Sequence, residues 1–390
     1  MIRGIAWGIG KGLDGKEAGQ QAIQQALNNL GSARPVLAIL LVSQEFAATD
    51  VLAGVVGFLG NTPLWGFSTS MPLTKEGEQP RSVIVALLSG SELKVKVNWL
   101  PGYVQDSAKT IQQLRQLLSE NEPKQNGLLI VADGVNGDAS KICAEFQTGG
   151  IPLGGGLAAG SVHSGKTYQF GGMQGGTGAL SLAILSGRFR MGVGMGTGWQ
   201  DIGIDFQVDR AKGAWIQSLD GLPAADTMAK VFGYTARDWA FPPLTDLARL
   251  YCLGIETVPG GPEWIYRSPL HVEVDGSLRV NAPVPEGQLA HLLVGDPDSC
   301  LAAARDAARE ALQSLGKARP LLALVMVDLA WHYLFESRQE QIMAAIQPIV
   351  GDTVLIGAYT FGQMGRIYPD APPRFYNQFI QVVLLGESES

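Results

Sequence analysis

The chain has 390 residues, of which 46% are hydrophobic, and carries a formal net charge of −7. That length and apolar content call for two or three cores rather than one. The acidic balance and the lack of Lys/Arg blocks exclude a nucleic-acid or anionic-membrane surface from the leading readings, because both need concentrated positive charge.

The chain opens on RGIAWGIG, which reads as a strand. KEAGQQAIQQALNNL follows, with Ala, Ile and Leu recurring on one helical face until Gly31 ends it. PVLAILLVS at Pro35–Ser43 is an apolar strand, DVLAGVVGFLG an apolar connection, and TPLWGFSTS at Thr62–Ser70 a strand running into a glycine turn. SVIVALLSG closes this first unit as another strand. A second unit repeats the order through ELKVKVNWL, the helix DSAKTIQQLRQLLSE, GLLIVAD, DASKICAEFQ and IPLGGGLAAG, and it ends on LAILSG, close to VALLSG.

A third unit is read from QLAHLLVG through the alanine-rich helix DPDSCLAAARDAAREALQSLG to PLLALVMVD, a polar-capped helix, TVLIGAYTFG and FIQVVLLG. GSARPVLAILLV and GKARPLLALVMV match almost letter for letter, and laying the units over one another puts Gly66, Gly155 and Gly357 in register. Small or hydroxylated residues follow each glycine: Ser68 and Thr69, Ala158 and Ala159, Tyr359 and Thr360. A repeat this long points to duplicated αβ subdomains rather than a solenoid. The expected fold class is therefore α/β (α+β), with repeated β-α-β-α-β-β units forming mixed sheets flanked by helices. The stretch from Gly187 to Gly287 breaks the pattern. It holds GVGMGTG, a turn-helix at LDGLPAADTMAKVFG and a hairpin, RSPLHVEVDGSLRVNAPV, turning at Asp275-Gly276.

The longest apolar runs stop far short of the ~20 residues that span a bilayer, so they read as buried strands. The glycine-broken N-terminus lacks the apolar core of a signal peptide, and a cytoplasmic location is expected. Cys143, Cys252 and Cys300 form no CxxC pair, and His163, His271, His291 and His332 are scattered. Neither a metal nor another cofactor is expected.

Gly160 to Thr167, GSVHSGKT, satisfies the phosphate-loop pattern, but TYQFGGMQGGTG follows where a helix should begin. Nucleotide binding there is kept as an alternative. GVGMGTG and GGGLAAG are similarly read as glycines permitting close backbone approach rather than as dinucleotide fingerprints. Ser68, Ser161 or Thr360 could serve a hydrolase or amidase as nucleophile, yet no G-x-S-x-G elbow accompanies them and no base is identifiable. No catalytic residue is assigned. Hydroxyls and backbone amides converging at strand ends suit recognition of a small ligand better.

The order of GFSTS, GGGLAAG, TYQFGG, LDGLPA, RSPLHVEVDGSL, PEG, GAYTFGQMG and Asn377 resembles the FIST sensory family over nearly the whole chain. The resemblance implies a FIST N-terminal domain over 1–215 with two αβ repeats, and a FIST C-domain over 216–390 holding the inserted segment and the third repeat. It further implies a sensory, non-enzymatic protein that binds a small molecule, an amino acid or similar metabolite. No output module is expected within the chain, so a partner signalling protein would read its state. Expected ligand contacts are Ser68, Thr69, Gly155, Gly156, Thr360 and Gln363, with Asp328 offering charge to an ammonium and Arg267 to a carboxylate. The family pattern often has a Cys where this chain has Asp328, an Arg where it has Trp331, a Glu where it has Gln363 and an acidic residue where it has Ser161.

Overall fold

A computed structural model describes residues 4–90, 92–121, 125–146, 150–160, 165–240, 250–368 and 370–387. Each repeat builds one four-stranded arrangement with the same connectivity. In the first, the sheet order is Gly4–Gly10, Val83–Ser89, Leu37–Ser43, Leu64–Thr69. Leu37–Ser43 and Leu64–Thr69 run parallel and the other pairs antiparallel. Leu93–Leu100, Leu180–Gly187, Gly127–Ala132 and Leu153–Ala158 repeat that order in the second unit, and Phe189–Thr197, Phe379–Glu387, Arg319–Asp328 and Val354–Gly365 repeat it in the third. The α/β class with mixed sheets and flanking helices is thus as the sequence indicates.

The central strands read as unbroken apolar runs because both of their faces are covered. Leu37, Ile39, Leu41, Leu322, Leu324 and Met326 share one core cluster, in which the inner faces of the units meet. The opposite faces carry helices: Gly15–Leu30 and Ala48–Leu59 over the first unit, Ser107–Asn121 and Ala139–Ala144 over the second, and Pro297–Leu315 and Glu340–Val350 over the third. No helix among the described residues is long and apolar enough to cross a membrane.

One strand differs from the sequence reading. Leu289–Gly295, expected to open the third unit, lies in a separate eight-stranded sheet between Tyr251–Glu256 and Trp199–Lys212. The opening strand is Phe189–Thr197. Its alternating glycines explain the choice: a Cβ at Gly192 or Gly194 would run into the backbone carbonyl of Ala311 or Ala307, so the alanine face of Pro297–Leu315 lies directly on the strand. GVGMGTG is a helix-seating surface. The eight-stranded sheet encloses its own core, closed by the helix Ala224–Val231, and its hairpin turns at Asp275-Gly276, where Gly276 has φ +79°.

Candidate functional site

The register of the three parallel strand pairs is identical at the glycines. Gly66 pairs with Leu40, Gly155 with Ile130 and Gly357 with Val325, and in each case an added Cβ would overlap the partner's carbonyl oxygen. The parallel pairing then stops at a matching position in each unit: Thr69 beside Ser43, Ala158 one step past the Ala132–Leu157 pair, and Thr360 beside Asp328, where Val354–Gly365 itself runs on to pair with Leu153–Ala158 and Arg374–Tyr376.

These ends meet. Ser68 Oγ donates to the Ala159 carbonyl at 2.9 Å and accepts from the Tyr168 N–H at 2.9 Å, while the Ala159 N–H donates to the Ser68 carbonyl at 3.1 Å. Thr69 Oγ1 donates to the Tyr359 carbonyl at 2.8 Å, joining the first unit to the third. The second and third units pair directly, Thr360 opposite Ala158 and Gln363 opposite Gly156. Gly155 gives its N–H to Gln381 Oε1 at 2.8 Å. All of these residues except the half-buried Tyr168 are buried, and the Ser68, Thr69 and Thr360 hydroxyl protons go to backbone carbonyls. A nucleophilic role would require one of them to leave its carbonyl first.

Polarity gathers at the third strand end. Asp328 is 6% exposed, and burial raises its carboxyl to about 6 against the opposing hydrogen bonds from Ala330 N, Gln378 N and the Asn377 side chain. Asn377 Nδ2 lies 3.4 Å from Asp328 Oδ2 and 3.2 Å from the Phe361 carbonyl, and Gln363 Nε2 donates to Thr360 Oγ1 at 2.8 Å. The amide oxygens of Gln363, Asn377 and Gln378 are buried without a donor among the described residues. Buried acceptors left unpaired are rare because each retains its desolvation cost, and such a group suits a visitor rich in N–H donors.

Arg267 lies apart, beyond the strand Arg374–Tyr376. Its Nη1 donates to the Phe375 carbonyl at 3.1 Å, so that strand has Arg267 on one side and, one residue further on, Asn377 on the Asp328 side.

The family model for the FIST N domain matches residues 36–222, and that for the FIST C domain matches residues 224–366. The chain belongs to the FIST family. FIST domains are sensory domains implicated in signal transduction and small-ligand binding. No curated protein matches the chain. Among solved structures it is similar to a crystal structure of chorismatase at 11% identity and a TM-score of 0.40, covering 99% of both chains. It is also similar to PurLQS from Thermotoga maritima at 11% identity and a TM-score of 0.25, over 99% of this chain and 73% of that one.

Trp331 is fully buried, stacks on Phe335 and donates Nε1 to the Gln378 carbonyl at 2.9 Å. Ser161 and His163 lie outside the described residues. Thr167 donates to Asp133 Oδ2 at 3.0 Å and is followed by the strand Gln169–Gly172, so the phosphate-loop letters open no helix. Asn377 and Gln378 were not among the expected contacts. The hint available for them was only their place just ahead of the last strand.

Distant segments also bring Asp201, Asp205 and His291 together, their ligand atoms within 4.8 Å of one another, a grouping capable of holding a metal ion that sequence spacing conceals. His291 Nδ1 lies 2.8 Å from Asp205 Oδ1 and its Nε2 3.2 Å from Glu256 Oε1, with Trp264 stacked on the ring at 4.0 Å.

Proposed function

We propose that this FIST protein is a cytoplasmic sensor whose ligand, an amino acid or similar amine-bearing metabolite, binds where the strand ends meet, and that a signalling protein reads its occupancy. The ammonium sits against Asp328. The amide oxygens of Gln363 and Asn377 accept its remaining protons, and Ser68, Thr69, Gly155, Gly156 and Thr360 form the backing that holds the units together there.

The observation that carries this reading is the buried Asp328 carboxylate, hydrogen-bonded by Asn377 and Gln378, two residues whose own buried amide oxygens have no donor among the described residues. An ammonium satisfies both needs at once, and its charge offsets the cost of keeping Asp328 ionised in a dry site. Each structural unit contributes a strand end, so occupancy affects a joint shared by all of them.

A thermal-shift panel of amino acids and simple amines tests the reading on the wild type, Asp328→Asn and the Thr69→Ala/Thr360→Ala double variant. A ligand should raise the wild-type melting temperature, with the shift lost in Asp328→Asn and diminished in the double variant. Equal shifts in all of these proteins reject the site.

A further inference from the structure

A cavity of about 420 Å³ opens where the helix Ala139–Ala144 of the second unit faces the eight-stranded sheet and the strand Arg374–Tyr376. Arg267 lines it while only 2% exposed. Its Nε donates to the Pro283 carbonyl at 3.0 Å, and Nη1 donates to the carbonyls of Tyr266 at 2.9 Å and Phe375 at 3.1 Å. These acceptors are neutral. No carboxylate among the described residues lies within ion-pair distance of the guanidinium, and Nη2 makes no hydrogen bond to them.

Burial of a cation without a counter-ion is costly, and here desolvation lowers Arg267 to about 10, leaving it protonated at neutral pH. Asp138, the nearest acid by its electrostatic effect, spends Oδ1 on the Ser140 N–H at 3.1 Å and lies 3.8 Å from Lys141 through Oδ2. Cys143, also on the cavity wall, cannot supply the missing charge, since burial pushes its thiol up to about 12.

A second observation is independent of the charge. Ser140 lines the same cavity, and its Oγ is buried with no hydrogen-bond partner among the described residues. Arg374 adds a further guanidinium on the rim, its Nε 2.9 Å from Glu263 Oε1. Phe375 and Ile265 give the cavity an apolar wall.

We propose that this cavity is a binding site for a small organic anion, whose carboxylate or phosphate oxygens accept from Arg267 Nη2 and Ser140 Oγ. The site uses none of the strand-end residues around Asp328 and stands whether or not an amine binds there. It lies at the seam between the FIST N and FIST C portions, which makes the anion a bridge between them.

The test is calorimetric titration of the full chain with inorganic phosphate and, separately, with succinate, in low-chloride buffer. At least one probe should bind the wild type. Ser140→Ala, which removes only the unpartnered hydroxyl, should weaken binding about ten-fold, the loss of one charge-assisted hydrogen bond. Arg267→Gln should abolish binding while circular dichroism reports an intact fold. If that variant does not fold, Ser140→Ala decides alone. Asp328→Asn should leave anion binding unchanged, so the two sites can fail separately. Binding of phosphate alone assigns a phosphorylated ligand, and binding of succinate alone a carboxylate. No binding of either probe at tens of millimolar, or equal binding by wild type and Ser140→Ala, overturns the proposal.

Discussion

Replacing Asp328 with asparagine should alter the pH dependence of stability in a way that can be worked out in advance. Burial raises the carboxyl from 3.8 to about 6 in the folded chain. A carboxyl with a raised folded pKa binds its proton more tightly when folded, so its favourable contribution is complete below about pH 4 and lost as pH rises through 6. A displacement of about two units corresponds to roughly 3 kcal/mol. Wild type should therefore lose roughly 3 kcal/mol relative to Asp328→Asn between pH 4 and pH 7.5. Urea unfolding followed by tryptophan fluorescence, run on both proteins at half-unit steps, measures this. The pH-independent offset between them absorbs whatever the substitution does to the Ala330 hydrogen bond, and only the change in the gap matters. Parallel stability curves across that range would refute the claim that Asp328 is desolvated and held without a compensating cation.

The matched glycines allow a sharper structural test: Gly66→Ala, Gly155→Ala and Gly357→Ala each place a Cβ against a neighbouring strand's carbonyl, and each should cost about 3 kcal/mol or more in urea unfolding. Thr69→Val leaves the Tyr359 carbonyl without its side-chain donor and should cost about 1–3 kcal/mol, measured the same way. Cys143, Cys252 and Cys300 are buried, and desolvation raises all of their thiols, so a chromogenic disulfide reagent at pH 8 should label none in the native protein and all after unfolding.

The repeat was legible because sheets buried on both faces leave little choice of residue: PVLAILLV and PLLALVMV must be apolar at every position. Gly66, Gly155 and Gly357 were legible for a related reason, since any side chain there strikes the adjacent strand. The start of the third unit was not. Leu289–Gly295 has the apolar run expected of an opening strand, whereas the glycines of Phe189–Thr197 announce a close backbone approach without naming its partner, which is the alanine face of Pro297–Leu315. At the site, Asp328 and Arg267 stood out as charges beside apolar strands. Ser140, on a short helix well over a hundred residues from Arg267 in sequence, carries no local mark, because only tertiary packing brings it to the cavity.

The third unit is interrupted between its opening strand and its first helix. The chain leaves the opening strand at Gly198 and returns at Asp296, where the Asp296 N–H lies 3.3 Å from the Gly198 carbonyl and Trp199 pairs with Gly295. Entry and exit are thus side by side, the arrangement that lets a parent domain accept a guest without moving its own termini. The eight-stranded sheet occupies the position such a guest would take. A shortened chain that rejoins Gly198 to Asp296 through a tight loop would recover an uninterrupted triplicate, and Trp199, whose ring packs against Trp331, is the first side chain whose loss that deletion would have to make good.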